Sequence, residues 1–169
     1  MPNFLRNYVA GGTYFFTMVT SERRPYFGDT RCINAFLSTF STIQRYHHFE
    51  LVAYCILPDH IHILMTLAEE DSNFSERLKE IKRKTTISLR NILGKPQLQI
   101  WQLRFWEHTI RDLDDFQHSF DYIHYNPIKH GYSDSYDWEW SSFWDYYGQG
   151  FVPDIDPKDF VIGRYSYGE

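Results

Sequence analysis

The chain has 169 residues, of which 43% are hydrophobic and 19% aromatic, enough for one packed domain and too few for two large ones. That composition excludes a disordered chain, and no apolar run reaches the roughly 18 residues a bilayer span requires. The formal charge of -5 argues against nucleic acid only until its distribution is read. Residues 131–169 hold eight acids against two bases, leaving 14 acids and 15 bases in residues 1–130. The body is therefore near neutral and the tail is acidic. Cys32 and Cys55 have no metal-type spacing, and the N-terminus lacks a signal-peptide pattern. Both features place the protein in the cytoplasm, with free buried thiols and no membrane partner.

The Gly11-Gly12 pair precedes Thr13–Thr20, a β-branched and aromatic run that reads as a strand. Asp29-Thr30 caps a helix over about 31–47, where Ile33, Phe36, Leu37, Phe40 and Ile43 keep one face apolar. A strand at about 50–57 is followed by the Pro58-Asp59 turn and a second strand from about 60 to 67. So short a connection predicts a hairpin. Asn73 with Glu76 has the form of a capping box, and Gly94 and Pro96 close the helix it opens. Phe74, Leu78, Ile81, Thr85 and Leu89 form the inward stripe of that helix. Arg77, Lys79, Lys82, Arg83, Lys84 and Arg90, set against Glu80 alone, leave much of a basic face outward. A short strand falls within 101–111. Asp112 and Asp115 then start a helix whose stripe is Phe116, Phe120 and Ile123.

This order predicts an α+β fold, a ferredoxin-like sandwich in which an antiparallel sheet carries helices packed on one face. The domain reading is a body over 1–132 and an irregular, Trp-rich C-terminal tail over 133–169, packed on the same domain.

Two segments carry chemistry. Alternation along a strand puts His60 and His62 on one face and Ile61, Ile63 and Met65 on the other. Two imidazoles at that spacing are half of a divalent-metal site. In the last helix Tyr122 and Asn126, four residues apart, share a face one turn apart and lie off the apolar stripe. Pro127 directs Asn126 away from helical geometry, so a helix end or kink is expected there. The basic residues Arg77, Lys82, Arg83 and Lys84 have the chemistry to follow a phosphate backbone. Tyr8 and Tyr14, beside the Gly11-Gly12 turn, and Phe16 have the chemistry to stack unpaired bases. His108 and His118 read as structural histidines, with a proton-accepting role open for His118.

Taken together, the stretches Gly11-Gly-Thr-Tyr-Phe-Phe-Thr17, Leu57-Pro-Asp-His-Ile-His62, Arg104-Phe-Trp-Glu-His108, Asp121-Tyr-Ile-His-Tyr-Asn-Pro-Ile-Lys-His-Gly131 and Trp140-Ser-Ser-Phe143 resemble the REP-associated tyrosine transposases. These are members of the superfamily of single-tyrosine nucleases with a His-hydrophobic-His pair. The resemblance implies cleavage and rejoining of single-stranded DNA beside repeat-derived hairpins. By position it makes Tyr122 the nucleophile, His60 and His62 metal ligands, and Asn126 the third ligand. It also implies that the N-terminal segment, with Gly11 and Gly12, contacts DNA next to the hairpin.

The expected chemistry is transesterification: the Tyr122 oxygen attacks phosphorus, leaving a phosphotyrosine on one DNA end and a hydroxyl on the other. A free phenol titrates near about 10, so it requires activation or a polarised phosphate. The cofactor expected is a divalent metal, Mg²⁺ or Mn²⁺, and the longer tail favours a self-contained monomer over a dimer. Two other classes remain at this stage. One is a domesticated relative that binds hairpins without cutting them. The other is a zinc hydrolase built on His60, His62 and an acid such as Glu107.

Overall fold

The computed structural model describes residues 6–149 and Tyr167. Four strands, β1 (Thr13–Val19), β2 (Phe49–Ile56), β3 (His60–Leu67) and β4 (Trp106–Thr109), form one antiparallel sheet in the order β2-β3-β1-β4. Helices α1 (Thr30–Tyr46) and α2 (Phe74–Leu93) complete a βαββαβ unit, to which α3 (Leu113–Lys129) and the short α4 (Phe143–Tyr147) are appended. The strand order is that of the ferredoxin-like split βαβ fold, as the element sequence predicts.

Local signals set the helix ends. The Asp29 carboxylate accepts from the Arg31 backbone N–H at 2.9 Å to cap α1. The Asn73 amide oxygen accepts from the Glu76 N–H at 3.2 Å to cap α2, and Gly94 closes that helix at φ 63°, where a Cβ would be strained. Asp112 accepts from the Asp115 N–H at 2.8 Å to start α3. Helix α3 then runs through Pro127 to Lys129. The expected break at Asn126 does not occur. Proline forfeits only one helical N–H here, and the last turn is held by His130 donating to the Asn126 carbonyl at 3.1 Å.

The sheet is buried on both faces, and its two layers differ in composition. Phe16, Met18, Ile61, Ile63 and Met65 pack with Ile33, Phe36 and Phe40 of α1 and with Phe74, Leu78 and Ile81 of α2. Each such side chain removed from water contributes about 1.5–3 kcal/mol. On the opposite face Phe15, Cys55 and Leu64 pack with Phe120, Tyr122 and Ile123 of α3. Helices therefore cover both faces, a departure from the one-face packing expected. The ferredoxin-like unit supplies one layer and α3 adds a second.

Residues 138–146 run along β2, which is an edge strand. The Trp138 indole donates to the Ile56 carbonyl at 2.9 Å, the Ile56 N–H donates to the Trp140 carbonyl at 2.8 Å, and the Tyr54 N–H donates to the Ser142 hydroxyl at 3.0 Å. These bonds satisfy a strand edge that would otherwise recruit another chain. Residues 150–166, 168 and 169 of the predicted tail lie outside the described residues. No helix among the described residues is long and apolar enough to cross a membrane.

Candidate active site

The register of β1 against β3 pairs Thr17 with His62 and Val19 with His60, so both histidines face α3 rather than the α1/α2 layer. Both are fully buried. Their rings meet at a centroid distance of 5.0 Å, nearly perpendicular. From α3, Tyr122 reaches the same place, with its ring 5.6 Å from that of His62. One turn further along, the Asn126 Oδ1 lies 3.1 Å from the His60 Nε2. Strand alternation and helical spacing thus bring His60, His62, Tyr122 and Asn126 into one site. Tyr122 is 1% exposed, so it sits within the buried face of α3, not off it.

Each imidazole is oriented from behind. Asp59 accepts from the His60 Nδ1 at 2.6 Å and is itself held by the Arg23 guanidinium at 3.1 Å. Burial alone would raise the Asp59 carboxyl, but the hydrogen bonds and charges of His60 and Arg23 prevail and hold it down at about 2. It is therefore a carboxylate at neutral pH, and His60 must carry its proton on Nδ1. His62 is fixed in the same way by Thr17. That hydroxyl donates to the Tyr167 carbonyl at 2.5 Å, so at 3.0 Å it accepts from the His62 Nδ1. Both rings accordingly present Nε2 as the nitrogen for a ligand, the tautomer that metal-binding histidines use.

The donor set fits a hard-to-borderline divalent ion. With the His60 Nδ1–H hydrogen-bonded to the Asp59 carboxylate, Nε2 is the nitrogen that faces the Asn126 oxygen, 3.1 Å away. That is about the spacing of adjacent ligands around an octahedral cation with bonds of about 2.1 Å. Two imidazole nitrogens and one amide oxygen could hold such an ion, and imidazole matches Mn²⁺ better than the harder Mg²⁺. Glu107 does not join them. It pairs with Phe16 across β1 and β4, which places it on the α1/α2 side of the sheet, where it meets Arg6 at 3.5 Å. Glu107 is therefore not the acid of a zinc site, and the described residues hold no cluster of three His, Cys, Asp or Glu side chains that would make one.

Several residues that sequence reasoning passed over complete the site. The Lys129 ammonium donates to the Tyr122 hydroxyl at 2.7 Å and lies 5.1 Å from the ring centre. The Tyr167 ring stacks on Tyr122 at 3.8 Å and 12°, and its hydroxyl meets the His118 Nδ1. His130 packs edge-on against His60 at 4.8 Å. Lys129 was findable, since i and i+7 share a helical face. Thr17 required the strand register, and nothing local in the sequence points to Tyr167.

The remaining candidates separate. Tyr14 is fully buried in the α1/α2 layer with its hydroxyl bonded to the Val9 backbone, so it cannot stack a base. Arg77 is 4% exposed and committed to Asp71 and the Asn73 carbonyl, so it cannot follow a phosphate backbone. Lys82 donates to the Gln102 carbonyl at 2.7 Å, and burial lowers its ammonium to about 8. Arg83 pairs with Glu80, and Lys84 approaches the Tyr46 ring. These α2 residues belong to the layer across the sheet from Tyr122. Tyr8 is half exposed and stacks on Phe74 at 4.9 Å. Gly11 adopts φ 65° and donates to the Asp71 carbonyl at 2.9 Å, and Gly12 lies so close to the Val9 carbonyl that a Cβ would collide with it. Both glycines shape the turn that carries Tyr8. His108 is structural: the buried carboxylate of Asp115 accepts from it at 2.8 Å, tying β4 to the start of α3.

Residues 8–126 match the family model described as transposase IS200 like. A protein of Haemophilus influenzae named as a REP-associated tyrosine transposase is 44% identical over 153 residues, covering 85% of this chain and 86% of that one. The REP-associated tyrosine transposase of Escherichia coli K12 is 38% identical over 170 residues, covering 97% and 98%. A solved structure of a REP-associated tyrosine transposase bound to a REP hairpin superposes with a TM-score of 0.84 at 35% identity, covering 100% of this chain and 98% of that one. A Deinococcus radiodurans protein described as a transposase, 18% identical with a TM-score of 0.52 over 67% of this chain and 89% of that one, shares the fold. The chain belongs to the IS200-like transposases and, within them, to the REP-associated tyrosine transposases.

Proposed function

We propose that this protein is a metal-dependent single-stranded DNA endonuclease and strand transferase. It acts at repeat-derived hairpins through a covalent bond to Tyr122. The observation that carries the reading is the meeting of a phenol from α3 with two oriented imidazoles from β3, His62 and Tyr122 lying 5.6 Å apart. The relative that superposes on this chain is bound to a REP hairpin, which supports hairpin DNA as the partner. The sealed β2 edge favours a self-contained monomer.

In the reaction the Tyr122 Oη attacks the scissile phosphorus. The Oη–P bond forms, the P–O bond to the departing DNA end breaks, and that end takes up a proton as a free hydroxyl while the phenol loses one. His60, His62 and Asn126 would hold a divalent ion, which when bound supplies Lewis-acid polarisation of the phosphate. Asp59 and Thr17 keep both rings in the ligating tautomer. Because the phosphotyrosine conserves the bond energy, rejoining needs no nucleotide. Reversal requires only that the freed hydroxyl attack the same phosphorus.

Wild-type protein mixed with a labelled hairpin oligonucleotide and Mn²⁺ should yield a denaturation-resistant protein–DNA adduct that EDTA suppresses. Tight hairpin binding with no adduct under Mn²⁺ or Mg²⁺ would replace this reading with that of a hairpin-binding relative that does not cut.

A further inference from the structure

The nucleophile carries a partner that neither the metal ligands nor the fold requires. Tyr122, Asn126 and Lys129 stand on one face of α3 over two turns, and the Lys129 Nζ donates to the Tyr122 Oη at 2.7 Å. The side chain of Lys129 contributes little to the core, since the residue is exposed. Its reach is set by the backbone. Gly131 ends the helix at φ 71°, its N–H donates to the Ile128 carbonyl at 3.0 Å, and the Pro127 carbonyl accepts from the Tyr132 N–H at 2.8 Å. This closed last turn holds the lysine over the phenol.

We propose that Lys129 is a catalytic residue of the reaction set out above, acting as a fixed cation on the attacking and leaving oxygen. The inference rests on that reading. In cleavage the Tyr122 oxygen sheds its proton to solvent and bonds to phosphorus, and the departing DNA oxygen takes up a proton in exchange. In rejoining the DNA hydroxyl forms the new P–O bond and the Oη–P bond breaks, returning charge to the phenolic oxygen. An ammonium already in hydrogen-bond contact with that oxygen stabilises its charge in both directions, with no reorganisation as the charge develops. It also lies beside the phosphate that Oη joins. By microscopic reversibility the same contact acts in both directions, and the two rates change by a common factor where the cleavage equilibrium is unchanged.

The test compares wild type with Lys129→Met, Lys129→Arg and Lys129→Ala in single-turnover cleavage and rejoining of a hairpin oligonucleotide with Mn²⁺, alongside binding by fluorescence anisotropy. Lys129→Met should slow both reactions by a common factor on the order of 10²-fold, while the dissociation constant changes by less than about threefold. Lys129→Arg should recover most of the rate, and added methylammonium should accelerate Lys129→Ala in a saturable manner. A loss confined to the dissociation constant would make Lys129 a backbone-binding cation, and unchanged rates would remove its role altogether. Either result overturns the proposal while the nuclease reading stands. Absence of an adduct with wild type overturns the nuclease reading and this inference with it.

Discussion

The two faces of the sheet are made by the same strands and put to different uses. On β3, Ile61, Ile63 and Met65 enter an apolar layer with α1 and α2, while His60 and His62 alternate with them into a polar site under α3. The apolar layer gives stability through burial. The α3 layer spends buried volume on groups that must each be satisfied by a partner, and Asp59, Thr17 and Lys129 are those partners. Anchoring both histidines on a central strand, with a core pressed against its back, fixes their positions more firmly than any loop could.

The sharpest break between the faces comes from Tyr122→Phe. It removes one oxygen, costs stability by only about 1 kcal/mol, and should abolish the covalent adduct entirely on a denaturing gel. Asp59→Asn should weaken Mn²⁺ affinity by about 10–100-fold, read by isothermal titration, because the amide no longer holds His60 in its ligating tautomer. Across the sheet the pattern inverts. Ile63→Ala should cost about 2–5 kcal/mol in urea unfolding while the adduct rate per folded molecule stays the same.

A subtler effect separates α3 from its own active site. His124 is 1% exposed, bonded to the Phe120 carbonyl and Ser142, and burial lowers its imidazole to about 4. Because the folded value lies below the unfolded one of 6.5, the unfolded chain binds the extra proton first. Stability is therefore full above pH 6.5 and falls as pH drops towards 4, by on the order of 3 kcal/mol at most. His124→Gln should flatten that limb of a thermal-melting profile. The smallest effect is expected at Tyr167. Its ring covers Tyr122, so Tyr167→Ala should raise the initial adduct rate about two- to fivefold.

The fold was largely legible, because capping and alternation are local. Asn73, Gly94 and the Pro58-Asp59 turn each act through neighbours within a few residues. What escaped was long-range. Period alone shows that α3 has an apolar stripe but not which sheet face receives it. Strand β1 is buried on both faces, so nothing in its pattern separates buried Tyr14 from a base-stacking aromatic. Arg77 sits in a basic run yet turns inward to Asp71, a pairing that sequence charge cannot disclose. At the site, His60, His62, Tyr122 and Asn126 were visible as two half-motifs. Their oriented partners were not, since Thr17 and Tyr167 arrive only through tertiary contact.

In the proposed reaction the β3 imidazoles and the α3 phenol share one ion-binding hollow. An anomalous difference map from a crystal soaked in Mn²⁺ tests this directly. The expected result is a single strong peak bonded to His60, His62 and Asn126, with the Tyr122 oxygen facing it. A peak elsewhere, or none at saturating Mn²⁺, would contradict it.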